Sequence, residues 1–246
     1  MRFAPLPALL WGVFALGTAP AVAQRTDCPH RRDLTQRSEL PSGAALRLKA
    51  DAGSLVVRGV GGVGEARIRG TVCATSADLL EAASVRIERE RGALNVETVI
   101  PDRYNRFTTD AFVRIDLVVE VPSGTAATVH DGSGSAELSG LGDLEVHDGS
   151  GDLYIEEVSG RVEAHDGSGR LEIRRAAGPV QVHDGSGEII IRDVEGDIRI
   201  HDGSGSIDVN GARGDLVVAE DGSGSVAHAN VRGRVEVPHR GRSRHR

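Results

Sequence analysis

The residues of this chain that could do chemistry come in a repeated pentapeptide. His-Asp-Gly-Ser-Gly begins at His130, His147, His165, His183 and His201, and a sixth copy with Glu220 in the histidine place runs on through Asp221, Gly222, Ser223 and Gly224. Histidine, aspartate and serine within four residues are the parts of a hydrolytic triad. A triad needs one oriented constellation, however, and the chain offers five equivalent ones; Gly132-Ser133-Gly134 also lacks the Gly-x-Ser-x-Gly spacing of a nucleophile elbow. Asp148, Asp166, Asp184, Asp202 and Asp221 are candidate ligands for calcium, and His147, His165, His183 and His201 for a transition metal held by neighbouring pairs. The remaining reading is structural. Aspartate accepts from the amide two residues on, glycine supplies positive φ and serine caps the corner, so that Gly149 and Ser150, Gly167 and Ser168, Gly185 and Ser186, and Gly203 and Ser204 are turn residues. It asks for nothing beyond turn chemistry, and it leads to the expectation of no catalytic residue and no cofactor.

The spacing of the turns defines the elements that carry them. The six copies are 17, 18, 18, 18 and 19 residues apart, a solenoid period. Inside each period lies a half-period: Gly151 is followed nine residues on by Gly160, Gly169 by Gly178 and Gly187 by Gly196, each opening Gly-x-Φ-x-Φ with Φ usually aliphatic. Alternation of this kind is a strand with one buried face. One coil of about 18 residues therefore holds two short strands, and the fold expected is all-β, a single-domain parallel β-solenoid (β-helix). Its inward columns are Leu153, Leu171, Ile189, Ile207 and Val226; Ile155, Ile173, Ile191 and Val209; and, on the opposite wall, Val162, Val180, Ile198, Leu216 and Val235. Glu172 and its equivalents fall on the outer face. The 17- and 19-residue steps are expected to be absorbed in turns, because a one-residue slip inside a strand exchanges its faces.

Stacked coils also set the electrostatics. Equivalent side chains lie about 4.8 Å apart, so the aspartates form a column whose neighbours repel by about 1 kcal/mol even at high dielectric. Turn amides are expected to satisfy the Asp oxygens within each coil, leaving no response to calcium. The histidine rings, following inward residues such as Ala164, should point outward and titrate below the ordinary histidine range, since neighbours resist sharing charge.

Composition agrees with a thin aliphatic core. Aromatics are 3% of the 246 residues and glycine numbers 32. Two sheets about 10 Å apart leave little room for rings. Residues 1–23 read as a signal peptide: Arg2, an apolar run from Leu6 to Gly17, and Ala21-Val22-Ala23 before Gln24. Cleavage leaves no membrane span. In an oxidising compartment Cys28 and Cys73 are expected to pair as a disulfide. Net charge is −7, and the only basic concentration is the tail from Pro238 to Arg246, so nucleic acid is not an expected partner.

Upstream of the regular array, Asp51 to Val57, Gly64 to Ile68 and Gly92 to Val96 echo the motif. Val113, Ile115, Leu117, Val119 and Val121 alternate in one longer strand, and Ser76 to Ala83 is the one helical stretch, with Ser76 or Asp78 as cap. The organisation expected is a signal peptide over 1–23, an extended lead-in over 24–43, degenerate longer coils and cap over 44–128 with an irregular loop at 101–110, the regular solenoid over 129–237, and a disordered basic tail over 238–246.

Repeated Ser-Gly-x-Φ-x-Φ segments behind a signal peptide and a degenerate N-terminal half resemble the bacterial putative-adhesin family over about residues 45–237. The resemblance implies a parallel β-helix exported to the cell envelope (periplasm, cell surface or medium) and brings no catalytic residues. The function expected is a non-enzymatic, adhesin-like binding or structural scaffold for an envelope or extracellular ligand, glycan or protein. The alternatives are a divalent-ion-binding module using the Asp and His ladders, and a polysaccharide-active β-helix enzyme. The enzyme alternative calls for clustered acids and aromatic subsites, whereas the outward column Arg161, Pro179, Asp197, Asp215, Arg234 is mixed.

Overall fold

The computed structural model describes residues 28–90, 92–101 and 111–238; the expected signal peptide, most of the expected loop at 101–110 and the expected tail beyond Pro238 lie outside them. The N-terminal elements are β1 (His30–Glu39), β2 (Ala45–Ala50), β3 (Leu55–Val60), β4 (Glu65–Ala74), α1 (Ala77–Ala82), β5 (Ser84–Glu90), β6 (Ala93–Val99) and β7 (Val113–Pro122). The regular array follows as β8 (Ala127–Asp131), β9 (Gly134–Ser139), β10 (Leu144–Asp148), β11 (Gly151–Val158), β12 (Val162–Asp166), β13 (Gly169–Ala176) and β14 (Val180–Asp184). It continues through β15 (Gly187–Val194), β16 (Ile198–Asp202), β17 (Gly205–Ala212), β18 (Leu216–Asp221), β19 (Gly224–Val231) and β20 (Val235–Glu236).

These strands form two ten-stranded sheets, a β-solenoid of about 18-residue coils. Sheet A runs β1-β4-β7-β3-β9-β11-β13-β15-β17-β19 and sheet B runs β5-β6-β2-β8-β10-β12-β14-β16-β18-β20. From β8 onward every pair is parallel and like residues meet: Leu153 faces Leu171, Ile173 faces Ile191, Val162 faces Val180. These inward residues are 0–1% exposed, as alternation requires. A further inward column lies beyond a left-handed corner. Glu157, Arg175 and Asp193 have φ of 53–57°, and the chain then turns Val158, Ala176 and Val194 into the core at 1% exposure.

The two irregular steps are absorbed differently. The short step loses its residue in the turn between β9 and β10. The long step does not use a turn: Ile200 pairs with Val218 and His201 with Glu220, so Ala219 bulges out of β18. A bulge leaves two residues opposite one and restores the alternation on either side, which is how a strand can take an insertion without exchanging its faces.

The N-terminal half departs from a plain stack of longer coils. Its coils are out of chain order: β2 and β3 stack on β8 and β9, while β6 and β7 stack on the other side of β2 and β3. Beyond them the pairing becomes antiparallel, β4 on β7, β1 on β4 and β5 on β6. Within the segment expected as an extended lead-in, His30–Glu39 is an edge strand of sheet A. The two edge strands at this N-terminal end are heavily charged, with Arg31, Arg32, Asp33 and Arg37 on β1 and Arg86, Glu88, Arg89 and Glu90 on β5, which discourages further strand addition there. Helix α1 is capped by Ser76, whose hydroxyl accepts from the Leu79 amide at 3.3 Å, and covers a small second core of Val72, Ala74, Ala83, Val113 and Ile115.

Cys28 and Cys73 form a disulfide, Cα–Cα 5.4 Å, tying the start of β1 to β4. The loop it closes, with a sequence separation of 45 residues, stabilises by about 4 kcal/mol in the chain-entropy picture. Cys28→Ser with Cys73→Ser is therefore expected to lower the denaturant midpoint by that free energy while leaving far-UV circular dichroism unchanged. Intact mass of the unmodified protein should read two hydrogens below the dithiol value.

Candidate functional site

Parallel pairing in register turns the repeated pentapeptide into two side-chain columns at the end of sheet B. His130, His147, His165, His183 and His201 point outward and stack ring on ring, centroids 4.5–4.8 Å apart and planes within 4–11°. Same-face neighbours two residues back hold two of them: His147 Nε2 lies 3.1 Å from Glu145 and His165 Nε2 3.4 Å from Glu163. His183 instead meets the Gln181 amide at 2.8 Å. Its pKa is depressed by burial first and then by His165 and His201 on either side.

The aspartates are placed where the turn reading did not put them. Along β12 the inward positions are Val162, Ala164 and Asp166, so the carboxyl continues the core column instead of sitting in the turn. Asp131, Asp148, Asp166, Asp184 and Asp202 are only 3–7% exposed. The turn amides satisfy half of what was expected. Ser168, Ser186 and Ser204 each donate their backbone amide to the Oδ1 of the aspartate two residues back, at 3.0–3.1 Å. The second oxygen of each, and both oxygens of Asp131 and Asp148, are buried without a hydrogen-bond donor. Two full charges about 4.8 Å apart at an effective dielectric near 20 repel by about 3.5 kcal/mol, well above the sequence-based figure. The carboxyls accordingly resist ionisation. Desolvation, followed by the neighbouring aspartates, raises Asp148 and Asp184 to about 7, and burial raises Asp131 to about 6.

The turn glycines divide the work. Gly169 has φ +140°, but Gly167 has no left-handed φ; it is glycine because a Cβ there would lie 2.3 Å from the Gly149 carbonyl oxygen of the coil before. Serine acts at the turn through its amide and carbonyl: Ser168 donates to Asp166 and accepts from Gly151 of the previous coil.

The donor geometry bears on the metal readings. Two histidines sharing a metal need nitrogens converging to about 2.1 Å from it, whereas parallel rings aim their lone pairs side by side. Calcium takes six to eight oxygens from around it, and a single column supplies them from one wall. Among the described residues no group of three or more His, Cys, Asp or Glu surrounds a common point.

A different hollow was not anticipated. On the outer face of sheet A, Tyr154 stands between Glu137 and Glu172, its register partners on β9 and β13. With Arg58, Ser139 and Arg174 these line an open depression of about 460 Å³. Glu172 is 7% exposed and paired with Arg174, so this position is not the free surface site that alternation alone suggested. The signal was available in the sequence: Tyr154 is the one aromatic residue of the regular array.

Fold and side chains together define a solenoid with two ladders on one sheet and a hollow lined in part by Tyr154 on the other. The chain matches no protein-family model and no curated protein. Among solved structures it is similar to a putative cell adhesion protein from Clostridium sporogenes, at 14% identity over 84% of this chain and 98% of that one, TM-score 0.37. A putative adhesin from Parabacteroides merdae is also similar, at 14% identity, 83% and 95% coverage and TM-score 0.39. So is a putative lipid binding protein from Parabacteroides distasonis, at 14% identity, 84% and 97% coverage and TM-score 0.35.

Proposed function

We propose that this chain is an exported, non-enzymatic, adhesin-like scaffold of the cell envelope that holds a glycan on the outer face of sheet A. The observation that carries the reading is the hollow around Tyr154. It offers a phenol ring as a floor for the apolar face of a sugar, and Glu137 and Arg58, which pair with no other described residue, as partners for hydroxyls. Elsewhere the same face is closed by its own ion pairs, Arg170 with Glu188 and Arg192 with Asp208. The disulfide and the N-terminal apolar segment support export. The rigid stack of coils supports a scaffold role, since the side chains lining the hollow are fixed by strand register and need little ordering on binding.

The test is a glycan array and saturation-transfer NMR on the mature protein and two variants. Tyr154→Ala is expected to weaken binding about tenfold, or ~1.4 kcal/mol, and Tyr154→Phe to retain it. Wild-type protein that binds no glycan, or a Tyr154→Ala variant that binds as well as wild type, overturns the reading.

A further inference from the structure

The buried aspartate column has no role in the hollow on sheet A, and its geometry is unusual for ionised carboxylates. Five carboxyls, Asp131, Asp148, Asp166, Asp184 and Asp202, follow one another in register, each at least nine-tenths buried. The column begins against Ala50 of β2, an uncharged register partner. The charged groups that face it are acidic as well: Asp51 beside Asp131, Asp152 beside Asp166, and Asp221 beside Asp202. The five histidines adjoin it in sequence but lie on the other face of sheet B. Register sets the carboxyl of Asp148 between those of Asp131 and Asp166, one strand spacing from each. Two carboxylate oxygens, both acceptors, can hydrogen-bond to one another only with a proton between them.

We infer that the aspartate column is a proton-bridged ladder at neutral pH, in which neutral carboxyls donate to their ionised neighbours and bind coil to coil, so that mild acidification tightens the solenoid. The proton supplies the donor that the second oxygen of each aspartate otherwise lacks. The sign follows from linkage. Burial raises the folded-state pKa of these groups, so between about pH 8.5 and 6.5 the folded chain holds more protons than the unfolded one and stability falls as pH rises. His183 has the opposite sign: its pKa is depressed, so its protonation costs stability as pH falls through the ordinary histidine value, and at the acid end of the window this one group opposes the aspartate trend rather than mimicking it.

Thermal melts of the mature protein across that window, with and without a chelator, test the inference. The melting temperature is expected to rise by at least ~3 °C from pH 8.5 to 6.5, with no chelator effect. Asp148→Asn together with Asp184→Asn, which supplies amide donors in place of the protons, should melt higher than wild type at pH 8.5 and show a flattened pH dependence. A flat or inverted wild-type profile overturns the inference. So does a melting temperature that falls with chelator and recovers with calcium or zinc, which would assign the column to an ion. Infrared spectroscopy gives a readout independent of the variant's folding: the carbonyl band of protonated carboxyls should be present in the wild-type protein at pH 7, and its absence refutes the ladder.

Discussion

Gly169→Ala is expected to abolish the cooperative melt of the regular array. A methyl group at this position would sit 1.6 Å from the Gly151 carbonyl oxygen of the preceding coil, on a backbone whose φ of +140° suits glycine alone. Neither problem has a local remedy. The obstructing atom is backbone, held by a ladder of strands, and moving it displaces Gly134 and Gly187 in the same column. A cost above ~5 kcal/mol is expected, the range reached only when a fold is obstructed outright. Two other glycines separate the causes. Gly43→Ala, with φ +82° and open space around it, should cost only the left-handed penalty of about 1–2 kcal/mol, and Gly61→Ala, in open space without a left-handed φ, should be near neutral. Urea melts of the three variants check the series; equal midpoints for Gly169→Ala and Gly43→Ala would show that the coils are not in close contact at that corner.

Ile173→Asp is expected to have an effect of similar size for a different reason. Ile173 is fully buried between Ile155 and Ile191, in a core one side chain thick from each sheet, where no donor is placed to receive a carboxylate. The loss of apolar burial and the unpaired charge together should exceed ~4 kcal/mol, seen as an unfolded or molten circular dichroism spectrum at neutral pH. The control is Arg161→Ser, an exposed position that should melt within a few degrees of wild type. Glu172→Lys is not a neutral control. Its side chain is buried against Arg174, and the substitution sets two cations together at a cost of about 1–3 kcal/mol.

Much of this architecture was legible because repetition turns a weak local signal into a strong one. A single Gly-Arg-Leu-Glu-Ile is an ambiguous strand, but six such segments at steps of 17 to 19 residues require stacking, and stacking requires that Leu171 meet Leu153 and His165 meet His147. Where the repeat decays, so does legibility. β4, β6 and β7 have the same alternation as β2 and β3, and alternation specifies a buried face without specifying a neighbour or a direction. The bulge at Ala219 shows the same limit: spacing reveals an extra residue, while its placement depends on where the ladder yields most easily.

The chemical residues divide along the same line. Period and alternation by themselves determined that the histidines form an outward column and the aspartates a second one, because covalent spacing and the two-residue pleat leave no other arrangement. Whether Asp166 belonged to the turn or to the core was a matter of one residue at a strand end, and only the packed structure placed it inward, under the next coil and away from water. That difference sets the local dielectric, and with it whether a row of carboxyls is a solvated turn or a column that must share protons. The hollow around Tyr154 likewise depends on residues brought together from β3, β9, β11 and β13, up to 116 positions apart from Arg58 to Arg174, which no local pattern connects.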